Sequence, residues 1–224
     1  KLLIFLDEIQ NIPNWDRWVR RINDTHDEVF LFISGSSSKL SAKEIPSSLR
    51  GRCTNFEVYP LKFDEFLKFK NYELGNEEYL DEKRAELLGL LEEYMRFGGF
   101  PEVVLSTGEM KKKGLVDDYF RTIVYRDIAD KYNVRNRSAL SEFIKLLLGS
   151  RYFSANKSFN ALRGTGIRVG KSVLFNYLRY AEEVYFAFYV DIFSPKAKDR
   201  LRYPKKAYFI DNSFLSFISL RFSG

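Results

Sequence analysis

Residues Lys1–Gln10 read KLLIFLDEIQ, an apolar run from Leu2 to Leu6 set directly against the acid pair Asp7-Glu8. The run is continuous rather than alternating, as expected of a strand whose two faces are both covered in a parallel sheet. Working outward, Pro13-Asn14-Trp15 opens a helix in which Trp15, Trp18, Val19 and Ile22 recur at helical spacing, with Arg17, Arg20 and Arg21 on the other side. Val29–Ile33 (VFLFI) reads as a second buried strand and ends in Ser34-Gly35-Ser36-Ser37-Ser38. Strand, helix, strand is the crossover unit of a parallel sheet. Helical pattern returns over Ser38–Leu49, and Phe56–Val58 reads as a third short strand before Pro60.

From Leu61 the chain changes character. Phe63–Phe69, Glu77–Phe97, Gly114–Tyr132 and Ser138–Leu148 carry apolar residues at three- and four-residue spacing, separated by Gly98-Gly99, Gly108 and Asn133–Arg137. The tail predicts a helix near Asn156–Leu162, a break at Gly164-Thr165-Gly166, a helix near Lys171–Glu183, and strands Tyr185–Phe193 and Lys206–Ile210 around a basic loop.

The 224 residues, 45% of them hydrophobic, suffice for a sizeable core and favour two modules over one. The single cysteine, Cys53, has no internal disulfide partner, and no leader pattern is visible at the start, which suits a reducing, cytoplasmic setting. No apolar stretch approaches the roughly 20 residues that span a bilayer, so no membrane partner is expected. The charge is uneven: Lys and Arg number 23 against 25 Asp and Glu through Ser150, and 13 against 5 from Arg151 onward. Such a bias suggests an electrostatic partner for the tail, nucleic acid being the usual one, or simply a soluble basic surface.

The apolar run closed by Asp7-Glu8 resembles the Walker B strand of a P-loop ATPase. On that resemblance Asp7 holds the hydrated Mg²⁺ and Glu8 orients or deprotonates the attacking water. The same residues also read as a strand end followed by an acidic first helical turn. Ser34, Ser36 and Ser37 end the neighbouring strand, where a hydroxyl can reach the γ-phosphate or the water, as sensor 1 residues do in AAA-type ATPases. They read equally well as a Ser-rich turn and helix cap. Arg50 and Arg52 supply cations, Arg52 being the arginine-finger candidate for a neighbouring subunit's phosphate, with a salt-bridging arginine as the alternative. No Gly-rich phosphate loop precedes Lys1 and no Met begins the chain, so the expectation is a piece of a longer polypeptide. This stretch alone is then expected to bind ATP and Mg²⁺ poorly and to be inactive.

Gly164–Ser172 (GTGIRVGKS) imitates a phosphate loop, but the pattern demands Gly where Thr165 stands, and a helical stretch rather than a strand precedes it. A helix-turn-helix explains more of these residues: Phe159 and Leu162 on one helix, then Val173, Leu174, Tyr177, Leu178 and Ala181 on one face of the next, with Ser172 as its cap. Lys171, Asn176, Arg179 and Tyr180 are left facing outward. The two tail strands then form a wing, with Lys196, Lys198, Arg200, Arg202 and Lys205 around its tip. In a winged helix such residues meet double-stranded DNA. The competing reading is a module that packs against protein.

Taken together, Leu3–Asn11, Ile33–Ser38 (ISGSSS), Leu49–Arg52 (LRGR), Tyr59–Leu67 (YPLKFDEFL), Gly98–Val103 (GGFPEV), Tyr125–Ile128 (YRDI) and Lys206–Asn212 (KAYFIDN) form an ordered set. That set resembles the prokaryotic AAA-type ATPases that join an ATPase core to a winged-helix region and a C-terminal domain of unclear, sometimes nuclease-like, role. The implied fold is an α/β remnant of a P-loop parallel sheet, then an all-helical region, then a winged helix-turn-helix. The implied divisions are a partial ATPase core over 1–60, a helical lid-like region over 61–137, a winged helix over 138–210 and the start of a further domain over 211–224. Arg126 and Asp127 read as a helix-surface ion pair. The implied function is ATP hydrolysis in the intact protein, coupled to DNA binding, in a possible homo-oligomer. A non-catalytic DNA-binding or protein-interaction module is the alternative.

Overall fold

The computed structural model describes residues 1–9, 12–35, 49, 51–75, 81–150, 152–196, 198 and 203–216. It divides into two compact units, Lys1–Val58 with Glu183–Tyr185, and Tyr59–Glu182 with Phe186–Gly224. Among the described residues no helix is long and apolar enough to cross a membrane.

The first unit is built on β1 (Leu2–Leu6), α1 (Trp15–Thr25) and β2 (Val29–Ile33). The two strands pair in parallel, Leu2 opposite Val29 through Leu6 opposite Ile33. This is the crossover unit expected from the hydrophobic pattern. The burial expectation needs correcting. Ile4, Leu6, Leu31 and Ile33 are half-buried, whereas Leu3, Phe5, Phe30 and Phe32 on the opposite face are exposed. The Phe5 and Phe32 rings stack on that open face with centroids 4.9 Å apart. The strands are apolar on both sides, but the described residues cover one side more than the other. In α1, Val19 is buried, while Asn14 before it takes a left-handed backbone with φ 59°. Phe56–Val58, expected as a strand, is irregular: Phe56 and Val58 are exposed and form no ladder. Alternation over three residues is too short to specify a strand without a partner edge.

The second unit is mainly helical: α2 (Phe63–Phe69), α3 (Asp81–Phe97), α4 (Pro101–Leu105), α5 (Glu109–Arg121), a π-helical segment Thr122–Asp130, α6 (Arg137–Ser150), α7 (Ala155–Gly164) and α8 (Lys171–Glu183). The Lys62 backbone N–H donates to Glu65 Oε2 at 2.8 Å, which fixes the start of α2. Phe66, Leu67, Tyr72 and Val104 form a buried cluster against which Leu87, Leu90 and Tyr94 of α3 pack. A second centre is aromatic, with Phe100, Phe120 and Phe186 all in ring contact with Phe214. The continuous helix expected over Gly114–Tyr132 instead changes winding at Thr122. Five-residue hydrogen bonds such as Val134 N–H to Ala129 O, at 2.8 Å, close its far end.

After α6, three short strands form an antiparallel sheet in the order β3-β5-β4, comprising β3 (Tyr152–Phe153), β4 (Ala187–Val190) and β5 (Lys205–Phe209). Lys206 of the central strand lies opposite both Tyr152 and Val190. The helices α7 and α8 fall between β3 and β4 in sequence. They are joined by a turn in which the Gly166 N–H donates to Arg163 O and the Ile167 N–H to Leu162 O. Leu162, Leu174, Tyr177, Leu178 and Ala181 are buried, as expected. Ser172 is not the cap of α8. It lies one residue inside the helix, and the Val173 N–H already donates to Gly170 O.

Asp211, only 5% exposed, ties distant parts of this unit together. Its carboxylate accepts from the Gly99 N–H at 2.7 Å, from the Ser213 N–H at 2.8 Å and from the Ser213 hydroxyl. Gly99 O in turn accepts from the Leu61 N–H at 2.8 Å, and the Tyr94 hydroxyl donates to Leu61 O at 2.9 Å. Burial raises the Asp211 carboxyl above its ordinary pKa, opposed by the hydrogen bonds from Ser213 and Gly99. Gly98 has φ +76°, and a Cβ there would overlap the Asp211 carboxylate; one on Gly99 would overlap Leu61 O.

Two outcomes follow for stability. Gly98→Ala meets both a left-handed backbone and a backbone-anchored carboxylate, and should destabilise this unit by about 3 kcal/mol in a thermal or urea melt. Glu93 of α3 sits between Lys112 and Lys70, the latter at 2.8 Å. Burial pushes its carboxyl up, but the hydrogen bonds from the two lysines outweigh this and hold the pKa below the ordinary 4.5. A depressed carboxylate contributes stability above its unfolded pKa and loses it as pH falls through the folded one. Melts from pH 6 downward should therefore show an acid-side loss beginning near pH 4.5 that Glu93→Gln reduces.

Candidate functional site

The rim at the carboxyl end of β1 and β2 is shaped by backbone pairing that runs one step past the strands. The Ser34 N–H donates to Leu6 O at 2.8 Å, and the Ile9 N–H reaches Ser34 O at 3.3 Å. Between these two bonds lie Asp7 and Glu8. Ile9 is 2% exposed and plugs the turn into the core, while the Ile12 N–H donates to Ile9 O at 3.0 Å. Glu8 carries the bend, with φ 50° in the left-handed region. A non-glycine residue held there costs on the order of 1–3 kcal/mol, a strain that concentrates at functional positions. Nothing in the sequence signals it, because neither Gly nor Asn stands at the bend.

The Ser34 hydroxyl donates to the Asp7 carboxylate, joining two candidates 27 residues apart. Both are exposed at the rim and Glu8 is half-buried. The hydroxyl thus lies on the first acid of the pair, a contact the spacing alone does not specify. Ser36, Ser37 and Arg50 lie outside the described residues. Arg52 is engaged within the unit: it pairs with Asp24, in the last turn of α1, at 3.0 Å, and Asp24 also meets Arg20 at 3.4 Å. The hydrogen bond from Arg52 is the main reason that the Asp24 carboxyl is held below its ordinary pKa. A finger role for Arg52 requires that pair to open.

Among the described residues no group of three metal-binding side chains converges. Mg²⁺ in a phosphate site needs no such cage, since it keeps several waters and takes one or two carboxylates alongside substrate phosphates. An exposed Asp7 oriented by a hydroxyl, with Glu8 beside it, fits that donor set. The stretch Gly164–Ser172 does not extend it, for it joins the two helices α7 and α8, whereas a phosphate loop joins a strand to a helix.

In the second unit, α8 presents Lys171, Phe175, Asn176 and Arg179 on its exposed face. Lys171 Nζ stands 5.5 Å from the Phe159 ring centre, and the Arg179 guanidinium 5.3 Å from that of Tyr180. Tyr180 is half-buried, stacked on Tyr132 with centroids 3.9 Å apart, so it steadies the helix rather than facing outward. Lys196 and Lys198 are exposed in the β4–β5 connection, while Arg200 and Arg202 lie outside the described residues. Lys205 is ion-paired with Asp191 at the base of that connection. Arg126 and Asp127 lie in the π-helical segment, the first exposed and the second half-buried. Neither the buried Asp211 nor the fully exposed Phe193 follows from residue type or spacing; the sequence signal for Asp211 is the KAYFIDN block that contains it.

Comparison with known proteins divides the chain in a similar place. Residues 1–67 match a family described as an AAA domain, and residues 88–223 match one described as a domain of unknown function (DUF8612). The uncharacterized protein MJ1544 of Methanocaldococcus jannaschii is 40% identical over 219 residues, covering 96% of this chain and 48% of that protein. An uncharacterized protein of Haemophilus influenzae is 27% identical over 214 residues, covering 95% and 51%. A second Methanocaldococcus jannaschii protein, the uncharacterized MJ1637, is 26% identical over 204 residues, covering 82% and 41%. The chain thus spans about half the length of the curated relatives it matches. With more than half of its residues in the second match, the chain belongs to the DUF8612 family, and its first 67 residues are similar to an AAA domain.

Proposed function

We propose that the intact protein is an AAA-type ATPase that couples nucleotide hydrolysis to the engagement of double-stranded DNA. The observation that carries the catalytic half is the Ser34–Asp7 hydrogen bond at the carboxyl rim of a parallel strand pair, since open α/β sheets place ligand chemistry at that edge. The AAA-domain similarity of residues 1–67 supports the same reading. Bound Mg²⁺ would neutralise phosphate charge. Asp7 would hold its hydration shell in Walker B fashion, with the Ser34 hydroxyl fixing the orientation of the carboxylate through its hydrogen bond. Glu8, turned out of the strand direction by its left-handed backbone, is set to accept a proton from an attacking water or to orient it.

The DNA half rests on the order α6, β3, α7, α8, β4, β5 with β5 central in its sheet, which supports a winged helix over 138–210. In that reading α8 enters the major groove. Asn176 and Arg179 would face base edges, Lys171 the backbone, and Lys196 and Lys198 of the wing the phosphates. The surplus of 13 basic over 5 acidic residues from Arg151 onward supports a polyanionic partner.

In the full-length protein, Glu8→Gln should lower ATP hydrolysis about 100-fold or more while nucleotide binding, read by a fluorescent analogue, persists. Asp7→Asn should weaken Mg²⁺-dependent binding as well. Full hydrolysis in both variants overturns the catalytic reading. For DNA, duplex affinity should fall steeply with salt, and Lys196→Ala should reduce the logarithmic salt slope by about 1. Affinity without salt dependence overturns the wing as a phosphate contact.

A further inference from the structure

Phe193 is 102% exposed, as open as in an extended peptide, and it projects from the connection between β4 and β5. Two contacts hold the described chain on either side of it. Below it, Asp191 pairs with Lys205 and closes the base of the connection. Above it, Pro195 follows Ser194, and the Lys196 N–H donates to Ser194 Oγ at 3.2 Å, a local turn that pins the backbone next to the ring. Val190 and Ile192 before it are also exposed and apolar, and Lys196 and Lys198 after it are exposed cations.

An aromatic side chain in open water is commonplace, but one in a strand connection followed within five residues by two exposed lysines is chemically specific. The flanking charges disfavour a purely apolar partner and favour a polyanion, and the basic surplus of this part of the chain has the same sign. Duplex DNA offers both features at once: phosphates for the lysines, and a base step whose flat faces accept an apolar wedge once partly unstacked. Tyr203, at the far side of the connection, is also exposed.

We propose that Phe193 is a wedge that inserts between two base pairs of double-stranded DNA from the minor groove, bending the duplex, while Lys196 and Lys198 hold the adjacent phosphates. This deepens the DNA reading above and rests on it. The ring supplies stacking surface and deformation, and the lysines supply the salt-dependent part of affinity. The two contributions therefore separate experimentally.

The test uses the whole chain with a duplex that carries a donor and an acceptor dye at its ends and 2-aminopurine at successive steps. The native protein should shorten the end-to-end distance and raise 2-aminopurine emission at one step. Phe193→Ala should abolish both signals and weaken binding about tenfold with an unchanged salt slope, and Phe193→Trp should restore bending and show quenched indole emission on binding. Because Phe193 is fully exposed, the variants should melt as the native protein does. Salt-dependent binding in which Phe193→Ala bends the duplex like the native protein overturns the wedge but leaves DNA binding standing. No salt-dependent binding overturns both. If Phe193→Ala instead removes self-association seen in sedimentation and leaves bending intact, the ring is a protein contact and the wedge is wrong.

Discussion

A carboxylate buried beneath a glycine turn holds the larger unit together. Asp211 has left water, and a buried charge without compensating donors costs several kcal/mol. Three donors from two separate stretches of chain meet it. Because one donor is the Gly99 backbone, and because Gly98 must leave the space above the carboxylate empty, the exit from α3 cannot shift without losing the contact. Leu61 is bound to Gly99 in turn, so the entry to α2 is fixed by the same joint. The blocks YPLKFDEFL, GGFPEV and KAYFIDN, far apart in sequence, thus meet at one polar junction lined by Phe100 and Phe214. Their co-occurrence has a mechanical explanation that needs no catalytic role.

Much of this architecture was legible because it follows from hydrophobic period. The β1–α1–β2 unit, α2, α6, α7 and α8 lie where apolar spacing puts them, and the buried face of α8 is the one that Leu174, Tyr177, Leu178 and Ala181 predict. Features set by tertiary context were not legible. Nothing in TIVYRDIAD breaks a helix, yet it winds as a π-helix with Val124, Ile128 and Ala129 buried. Tyr152–Phe153 is too short to announce itself and is a strand only because β5 offers an edge. Phe56–Val58 fails for the converse reason. Ser172 reads as a cap, but the helix begins one residue earlier, at the limit to which termini can be read from sequence.

The candidate site was legible in residue type but not in geometry. Asp7, Glu8 and the serines were found from their position after apolar runs, since a strand end is visible as the point where apolar residues stop. The left-handed turn at Glu8 was invisible, and so was the choice of Ser34 as the hydroxyl that reaches Asp7. Parallel register decides that choice: Leu6 opposite Ile33 leaves the next residue of each strand side by side. Arg52 was ambiguous by sequence because a long cationic side chain reaches many partners, and Asp24 is the one it meets.

Two aspartates in this chain show how environment rather than identity sets what a carboxylate can do. Each ionised carboxylate offers about four lone-pair sites. Asp211 uses three of them for hydrogen bonds within a buried joint, so its acceptor capacity serves the fold, and burial lifts its pKa. Asp7 stands exposed at a strand rim with the Ser34 hydroxyl on Oδ1, a donor that orients the group without enclosing it. A cation with its water shell can approach only the second kind of acid, because approach to the first would require breaking backbone hydrogen bonds and displacing the turn above it. The physical case for the proposed nucleotide chemistry at the small unit's rim therefore rests on access as much as on the acidic residues themselves.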